Sequence, residues 1–301
     1  VTAVAARDAG RARDFAAKHA IPVVHDSYDA MLADPDVDAI YNPLPNGLHG
    51  FWTVKALEAG KHVLCEKPFT ANAAEAEQVA AVADSTGLVV MEAFHWRYHP
   101  LAARMLDVAA SGELGQVRHI ETSMCFPLFK RGDIRWQLDL AGGALMDAGC
   151  YAVHMLRTLA GAEPEVVGAE AKLRSPGVDR VMRADMRFSD GRTGRITTSM
   201  WSTTALKMAA RVEGDLGTLS VFNPVAPHYF HRFTVNAAGG KRRERVKGGS
   251  TYGYQLAAFA AAVLRGEPTL TPPADSIANM RVIDDIYRTA GMEPRRPATA
   301  P

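Results

Sequence analysis

The sequence predicts an α/β protein in which a doubly wound parallel sheet is followed by an α+β region with a large, mostly antiparallel open sheet. Two patterns predict it. Over the first third, short runs that are apolar throughout alternate with helical segments, as in parallel sheets covered on both faces. From Val117 onward, runs that alternate apolar and polar residues are joined by short glycine-containing turns, the signature of antiparallel pairing. A chain of 301 residues exceeds the roughly 250 that one core usually organises. Two domains are therefore expected, at residues 1–95 and 96–290, with a Pro-rich tail at 291–301 expected to be disordered.

Taken in order, residues 1–5 form an apolar run, and Asp8 can cap a helix that turns Ala12, Phe15 and Ala16 toward the core. Residues 21–24 and 37–41 read as further strands, with Asp26-Ser27 able to cap a short helix between them. Residues 49–59 read as a helix closed by Gly60, 61–65 as a strand, 72–85 as a helix and 88–92 as another strand. A helix at 101–110 leads into alternating runs at 117–122, 180–188, 195–201, 208–213 and 218–222. Turns fall at Ser189-Asp190-Gly191 and Gly214-Asp215-Leu216-Gly217, and helices at 255–264 and 276–290 close the chain.

Composition narrows the function by exclusion. The net charge is +1, and the one basic run, Lys241-Arg242-Arg243-Glu244-Arg245, contains a Glu and is flanked by Gly. Such a run reads as a solvated hairpin rather than a nucleic-acid site. Three cysteines, Cys65, Cys125 and Cys150, form neither a disulfide framework nor a zinc-ligand spacing, and they fit a reducing cytoplasm. No signal-peptide pattern opens the chain, and no apolar run approaches the ~18 residues that a membrane helix needs. A small molecule is the expected partner.

Two segments carry the chemistry. Cys65-Glu66-Lys67-Pro68 ends a strand and presents a carboxylate and an ammonium where ligands bind in open α/β sheets. The second runs from Gly142-Gly143 through Asp147 and Tyr151 to His154. At about 100° per residue, Asp147, Tyr151, His154 and Thr158 share one helical face, while Leu145, Ala148, Ala152, Met155 and Leu159 share another. A core helix whose polar groups pair with its neighbours is the plain reading. Beside Lys67, the same face suggests proton transfer. Oxidising an alcohol by hydride transfer requires loss of the hydroxyl proton, and a Tyr with its ordinary pKa of ~10 is a poor base unless a nearby ammonium lowers it. Lys67 and Tyr151 are therefore a candidate acid–base pair. Asp147 could anchor Lys67 or a ribose hydroxyl, and His154 is the rival proton acceptor because its ordinary pKa lies nearer neutrality.

The order of Asp38-Ala39-Ile40-Tyr41, Leu44-Pro45-Asn46-Gly47-Leu48-His49, Ala56 through Pro68 and Gly142 through Tyr151 resembles the Gfo/Idh/MocA oxidoreductases. Within them it looks closest to the branch holding dimeric dihydrodiol dehydrogenase, D-xylose dehydrogenase and glucose-fructose oxidoreductase. The resemblance covers nearly the whole chain. It implies a Rossmann-type first domain and an NAD(P)-dependent dehydrogenase acting on a CH–OH carbon of a sugar, polyol or cyclic diol. It also implies that Lys67 is the active-site lysine, often before a cis proline, and that Tyr151 is the proton donor or acceptor. Asp147, His49 and Tyr41 would support the cofactor, Glu66 would lie beside the nicotinamide, and Trp96 and Arg97 would line the interdomain cleft. Trp96 as an interdomain packing residue is an equal alternative.

Arg7 bears on the choice of cofactor. An acidic residue after the second strand of a dinucleotide fold holds the ribose hydroxyl of NAD, whereas an Arg can meet the 2′-phosphate of NADP. Ala5-Ala6-Arg7-Asp8 puts Arg first, so NADP is expected, with NAD possible and a merely exposed Arg7 the competing reading. One departure stands against the family pattern: the first strand, its G-x-G-x-x-G turn and the helix after it are not in the sequence, which truncates the Rossmann-type pattern. The first position is Val, so a start misplaced from an upstream site is one expectation and a shortened chain the other. A gap in the sheet beside residues 1–5 and 37–41 is expected with either. A non-catalytic sugar or cofactor sensor, or a regulatory member of the same fold, is the contrasting function, and the uncovered sheet face predicts a homo-oligomer.

Overall fold

The computed structural model describes residues 1–130, 132–201 and 206–299. At its start, β1 (Ala3–Ala5) pairs in parallel with β2 (Val23–His25). Between them runs α1 (Ala9–His19), whose first turn is capped by the Asp8 carboxylate accepting from Arg11 N at 3.0 Å. Only Ala12 and Ala16 of this helix are buried. Phe15, expected in the core, is 51% exposed and lies tilted against His19 instead, because α1 covers a sheet of just two short strands and the buried stripe is one small residue wide.

A second parallel set follows: β3 (Ala39–Asn42), β4 (His62–Cys65) and β5 (Val90–Glu92), in that spatial order. Their connections carry α2 (Tyr28–Leu32), α3 (His49–Glu58) and α4 (Ala73–Thr86). Val63, Leu64, Cys65 and Met91 are fully buried, which explains why these strands read as unbroken apolar runs. No ladder joins β1 to β3 among the described residues. The split falls where the sequence predicts a gap, and a cavity of about 90 Å³ lined by Ala5, Leu32, Tyr41 and Trp52 lies there.

Among the described residues, the remainder is built on eight strands. They are β6 (Val117–Cys125), β7 (Glu165–Ser175), β8 (Val178–Arg187), β9 (Thr193–Ser199), β10 (Lys207–Gly214), β11 (Thr218–Phe222), β12 (Arg232–Ala237) and β13 (Gly240–Glu244). The spatial order is β13-β12-β11-β10-β6-β9-β8-β7, and every pair is antiparallel except β6 with β9. The edge strand β7 escapes the sequence reading because its residues are mostly exposed and show no clean alternation. The basic run lies on the other edge strand, β13, where Arg242 pairs with Glu113 and Glu244.

One face of the sheet is covered by α6 (Cys150–Ala160), which contacts β6 and β9. Before β6 comes α5 (Pro100–Ala110), started by proline and capped by His99. The last helices are α7 (Thr251–Arg265) and α8 (Pro273–Thr289). The α8 helix returns to pack on α4, and its Asp284 accepts from Ala73 N at 3.1 Å. Beyond it the tail is not disordered, contrary to expectation. Residues 291–299 follow a defined path, and Arg295 is 3% exposed with its guanidinium on Asp179 and Gly142 O. Prolines alone suggested a free tail, whereas a single buried ion pair fixes it. Residues 300–301 of the expected tail lie outside the described residues. No helix among those residues is long and apolar enough to cross a membrane, and no group of three or more His, Cys, Asp or Glu is placed to hold a metal.

Candidate active site

The loop after β4 is held from several sides. Glu66 N donates to Asn42 O of β3 at 3.0 Å, and Phe69 N donates to the Glu92 carboxyl of β5 at 2.9 Å. The two ring nitrogens of buried His49 lie 2.7 Å from Pro68 O and 2.6 Å from Leu44 O. His49 thus ties the Lys67 loop to the loop after β3, and burial pushes its pKa down against the pull of both carbonyls. The Lys67–Pro68 peptide is cis.

From this loop Lys67 reaches the helix beneath the large sheet. Residues Leu145–Gly149 form a π turn that runs into α6. A π turn widens the coil and takes main-chain groups off the regular helical ladder, an arrangement frequent at functional sites. The Asp147 carbonyl here accepts from Lys67 Nζ at 2.9 Å. The Asp147 side chain turns elsewhere, with Oδ1 3.8 Å from Arg135 Nε and buried Oδ2 without a protein partner. Burial pushes its pKa up to about 6, against the pull of Lys67 and Arg135. Burial also disfavours the Lys67 ammonium, but Cys150, Asp147 and Glu66 outweigh it and hold the pKa above its ordinary value. Lys67 is therefore a cation at neutral pH.

Tyr151 lies beside Lys67, with the ammonium 5.1 Å from the centre of its ring. The geometry corrects one expectation. Lys67 stands over the ring and gives a hydrogen bond to Asp147 O, and its nearness does not offset the effect of burial on the phenol. Burial, then Glu66 and Cys150, push the Tyr151 pKa well above its ordinary value. The hydroxyl is held protonated.

His154 stands one turn further on, away from this pair. Trp96 Nε1 donates to His154 Nδ1 at 3.1 Å, which leaves Nε2 as the proton-bearing nitrogen facing Asp275 at 3.0 Å. With both nitrogens engaged, and the ring stacked on Phe94 at 4.1 Å, His154 has no free lone pair for a substrate proton. The ring is thereby committed to Trp96 and Asp275. Trp96 is 1% exposed and stands edge-on to His154 of α6 at 5.5 Å, while Arg97 is half-buried next to it. Tyr41 is exposed and donates to Glu66 Oε1 at 2.8 Å. Arg7 is exposed just past β1.

Two site residues were not singled out in the sequence. His95 stacks on Tyr252 of α7 at 4.2 Å, stands edge-on to Tyr151 at 5.8 Å and has its pKa pushed down to about 4 by burial, Lys67 and His228. Arg135 reaches Asp147 from the loop before the π turn. Arg135 comes from a segment that carries no motif, and His95, though next to Trp96, owes its place to Tyr252, which is distant in sequence.

The arrangement fits a nicotinamide nucleotide at one end. Loops after β1, β3 and β4 leave the carboxyl ends of parallel strands, the dinucleotide-binding edge of such sheets. The unpartnered, buried Asp147 Oδ2 beside a fixed ammonium lacks a donor that a ribose or amide group would supply. The sequence contains no G-x-G-x-x-G to cradle the pyrophosphate.

A Rossmann-like parallel layer, a large mixed sheet and a Lys–Tyr pair at their junction define a nucleotide-dependent oxidoreductase. Residues 1–94 match the oxidoreductase family with an NAD-binding Rossmann fold, and residues 102–220 match the GFO/IDH/MocA C-terminal domain. The chain belongs to the Gfo/Idh/MocA oxidoreductase family. It is 38% identical to D-xylose 1-dehydrogenase (NADP(+)) 2 of Haloferax volcanii, over 96% of this chain and 89% of that one. It is 28% identical to trans-1,2-dihydrobenzene-1,2-diol dehydrogenase of Xenopus tropicalis, over 97% and 90%. The 3-ketoreductase KijD10 of Actinomadura kijaniata, solved with NADP and TDP-benzene, superposes with a TM-score of 0.90 at 33% identity, covering 96% of this chain and 89% of that one.

Proposed function

We propose that this oxidoreductase moves a hydride between NADP(H) and a CH–OH carbon of a sugar, polyol or cyclic diol, with Lys67 and Tyr151 handling the proton. The observation that carries the reading is the approach of the Lys67 ammonium to the face of a Tyr151 held in its neutral form, at the carboxyl edge of the parallel sheet. When bound, the nicotinamide supplies or accepts the hydride. In the reductive direction Tyr151 Oη donates a proton to the developing alkoxide, and the Lys67 ammonium stabilises the negative charge left on the two oxygens. In the oxidative direction Tyr151 must first release its own proton to solvent, and its phenolate then takes the alcohol proton as the hydride leaves. The names of the relatives support NADP and a sugar or diol substrate, and KijD10 was solved with NADP.

Arg7, Tyr41, His49, Glu66, Arg97 and Asp147 are assigned to the cofactor side: Arg7 to the 2′-phosphate, the Tyr41–Glu66 pair and Asp147 to the nicotinamide and its ribose, and His49 indirectly through the Lys67 loop. Trp96 and His154 shape the wall behind Tyr151. Tyr252, half-exposed and stacked on His95, offers an aromatic face to the apolar side of a sugar ring. We assign the open face of the eight-stranded sheet, opposite α6, to contact with a second copy, and the three buried thiols suit a cytoplasmic enzyme.

The test is a fluorescence titration with NADPH and NADH, followed by an oxidation and reduction screen over aldoses, inositols and aromatic diols. Binding of NADPH with turnover of at least one class is expected. Failure of both overturns the proposal in favour of a non-catalytic member of the fold.

A further inference from the structure

The strongest feature outside the described chemistry is the C-terminal segment, which touches both halves of the molecule. At one end of it, Arg295 donates from Nε to Gly142 O at 2.9 Å and from Nη2 to Asp179 Oδ1 at 2.7 Å. Asp179 is fully buried, and its other oxygen accepts from Leu145 N, the first residue of the π turn, at 2.7 Å. Tyr287 OH donates to the same carboxylate at 3.0 Å. Gly143 sits at φ 142°, and a Cβ there would run into Asp179 Oδ1 and Arg295 Nη2, so the ion pair lies directly against the backbone leading to Asp147. Asp147 N in turn donates to Gly143 O at 3.0 Å.

The same segment grips the parallel half. Asn72 Nδ2 donates to Arg295 O at 2.8 Å, and Ala298 N donates to Gly47 O at 2.8 Å. A Cβ on Gly47 would come within 3.0 Å of Ala298 Cβ, so the approach is close. Gly47 lies two residues before His49, which holds Pro68 O and with it the Lys67 loop.

We propose that residues 292–298 form a strap that sets the distance between the Lys67 loop and the Asp147 carbonyl, with Arg295 as its positioning residue. The physical reason is the buried charge. Asp179 is committed to the π turn through Leu145 N, and in a site closed to water its charge is compensated only while Arg295 stays in place. The strap is therefore locked by the same ion pair that fixes the backbone around Gly142 and Gly143. Its far end anchors the Asn46–Leu48 turn, so the two sides of the Lys67–Asp147 bond are fixed by one continuous segment.

The kinetic arm of the test rests on the proposed roles of Lys67 and Tyr151, but the exchange arm does not. Arg295→Lys keeps a positive charge for Asp179 and removes the donor to Gly142 O. Ala298→Pro removes the main-chain donation from the strap to Gly47 O and leaves the ion pair alone. Hydrogen–deuterium exchange of the two variants should rise about ten-fold in residues 141–149 for the first and in residues 46–49 for the second, with strands β6 and β9 unchanged. Arg295→Lys should also lower kcat by about ten-fold while KM for the substrate stays within about two-fold, as expected when a catalytic group is displaced rather than lost. Unchanged exchange in both segments overturns the strap, as does a uniform rise across the chain, which would mark a purely stabilising contact. An enzyme inactive on every substrate refutes the proposed function, and the exchange result still decides the strap.

Discussion

Lys67 Nζ donates to the main-chain carbonyl of Asp147 at 2.9 Å, not to its carboxylate. The distinction matters because a carbonyl fixes the ammonium's position without neutralising its charge. The cation therefore remains available to a developing oxyanion next to it, while Tyr151 keeps its proton in the same buried space.

Replacing either partner should separate chemistry from folding. Lys67→Met and Tyr151→Phe are each expected to lower turnover by about 100-fold or more, with NADPH affinity changed only a few-fold for Tyr151→Phe. Steady-state kinetics beside a fluorescence titration checks this, and near-normal rates in both variants would refute the acid–base assignment.

Glu92 should make stability fall toward alkaline pH. It is fully buried, its Oε2 has no protein partner, and burial pushes its pKa up from 4.5 to about 8. The folded state therefore binds a proton that the unfolded chain has released. The stabilisation is complete below about pH 4.5 and is lost as pH rises through about 8. Glu92→Gln mimics the neutral acid, so its Tm should decline less between pH 5 and 8.5 than that of the parent chain. Parallel melting profiles for the two proteins would show that Glu92 does not titrate in this range.

His154 is expected to matter for packing rather than proton transfer. Trp96→Phe removes the donor to His154 Nδ1 and should destabilise by about 1–2 kcal/mol, the usual effect of leaving a buried acceptor unpaired. Denaturant melts measure that effect, and the pH–rate profile should keep its shape. A shifted profile would return His154 to the chemistry.

Arg7 should discriminate between cofactors. Arg7→Ala is predicted to raise KM for NADPH by about ten-fold and leave KM for NADH nearly unchanged, because one exposed charge-assisted contact to a phosphate is worth about 1–2 kcal/mol. Equal effects on both nucleotides would show that Arg7 does not read the 2′-phosphate.

Much of the fold was legible because its signals are local. The mostly buried β4 and the buried β5 read as continuous apolar runs, and Asp8 and Ser27 cap helices where their side chains reach the free amides. Strand β7 and the packed tail were not legible. One lacks a buried face, and the other is fixed by Asp179, which stands far away along the chain.

By itself the sequence determined the order of layers, the family pattern and the pairing of Lys67 with the Asp147–Tyr151 segment, because these follow from periodicity and motif. Only the tertiary structure decided what those residues do electrostatically. It placed Lys67 on a carbonyl and the ring face, kept Tyr151 protonated, locked His154 between Trp96 and Asp275, and drew Arg295 into the interior. The physical reason is that burial and partner choice depend on segments distant in sequence, and in a low-dielectric interior those two factors set the charge of every group in the site.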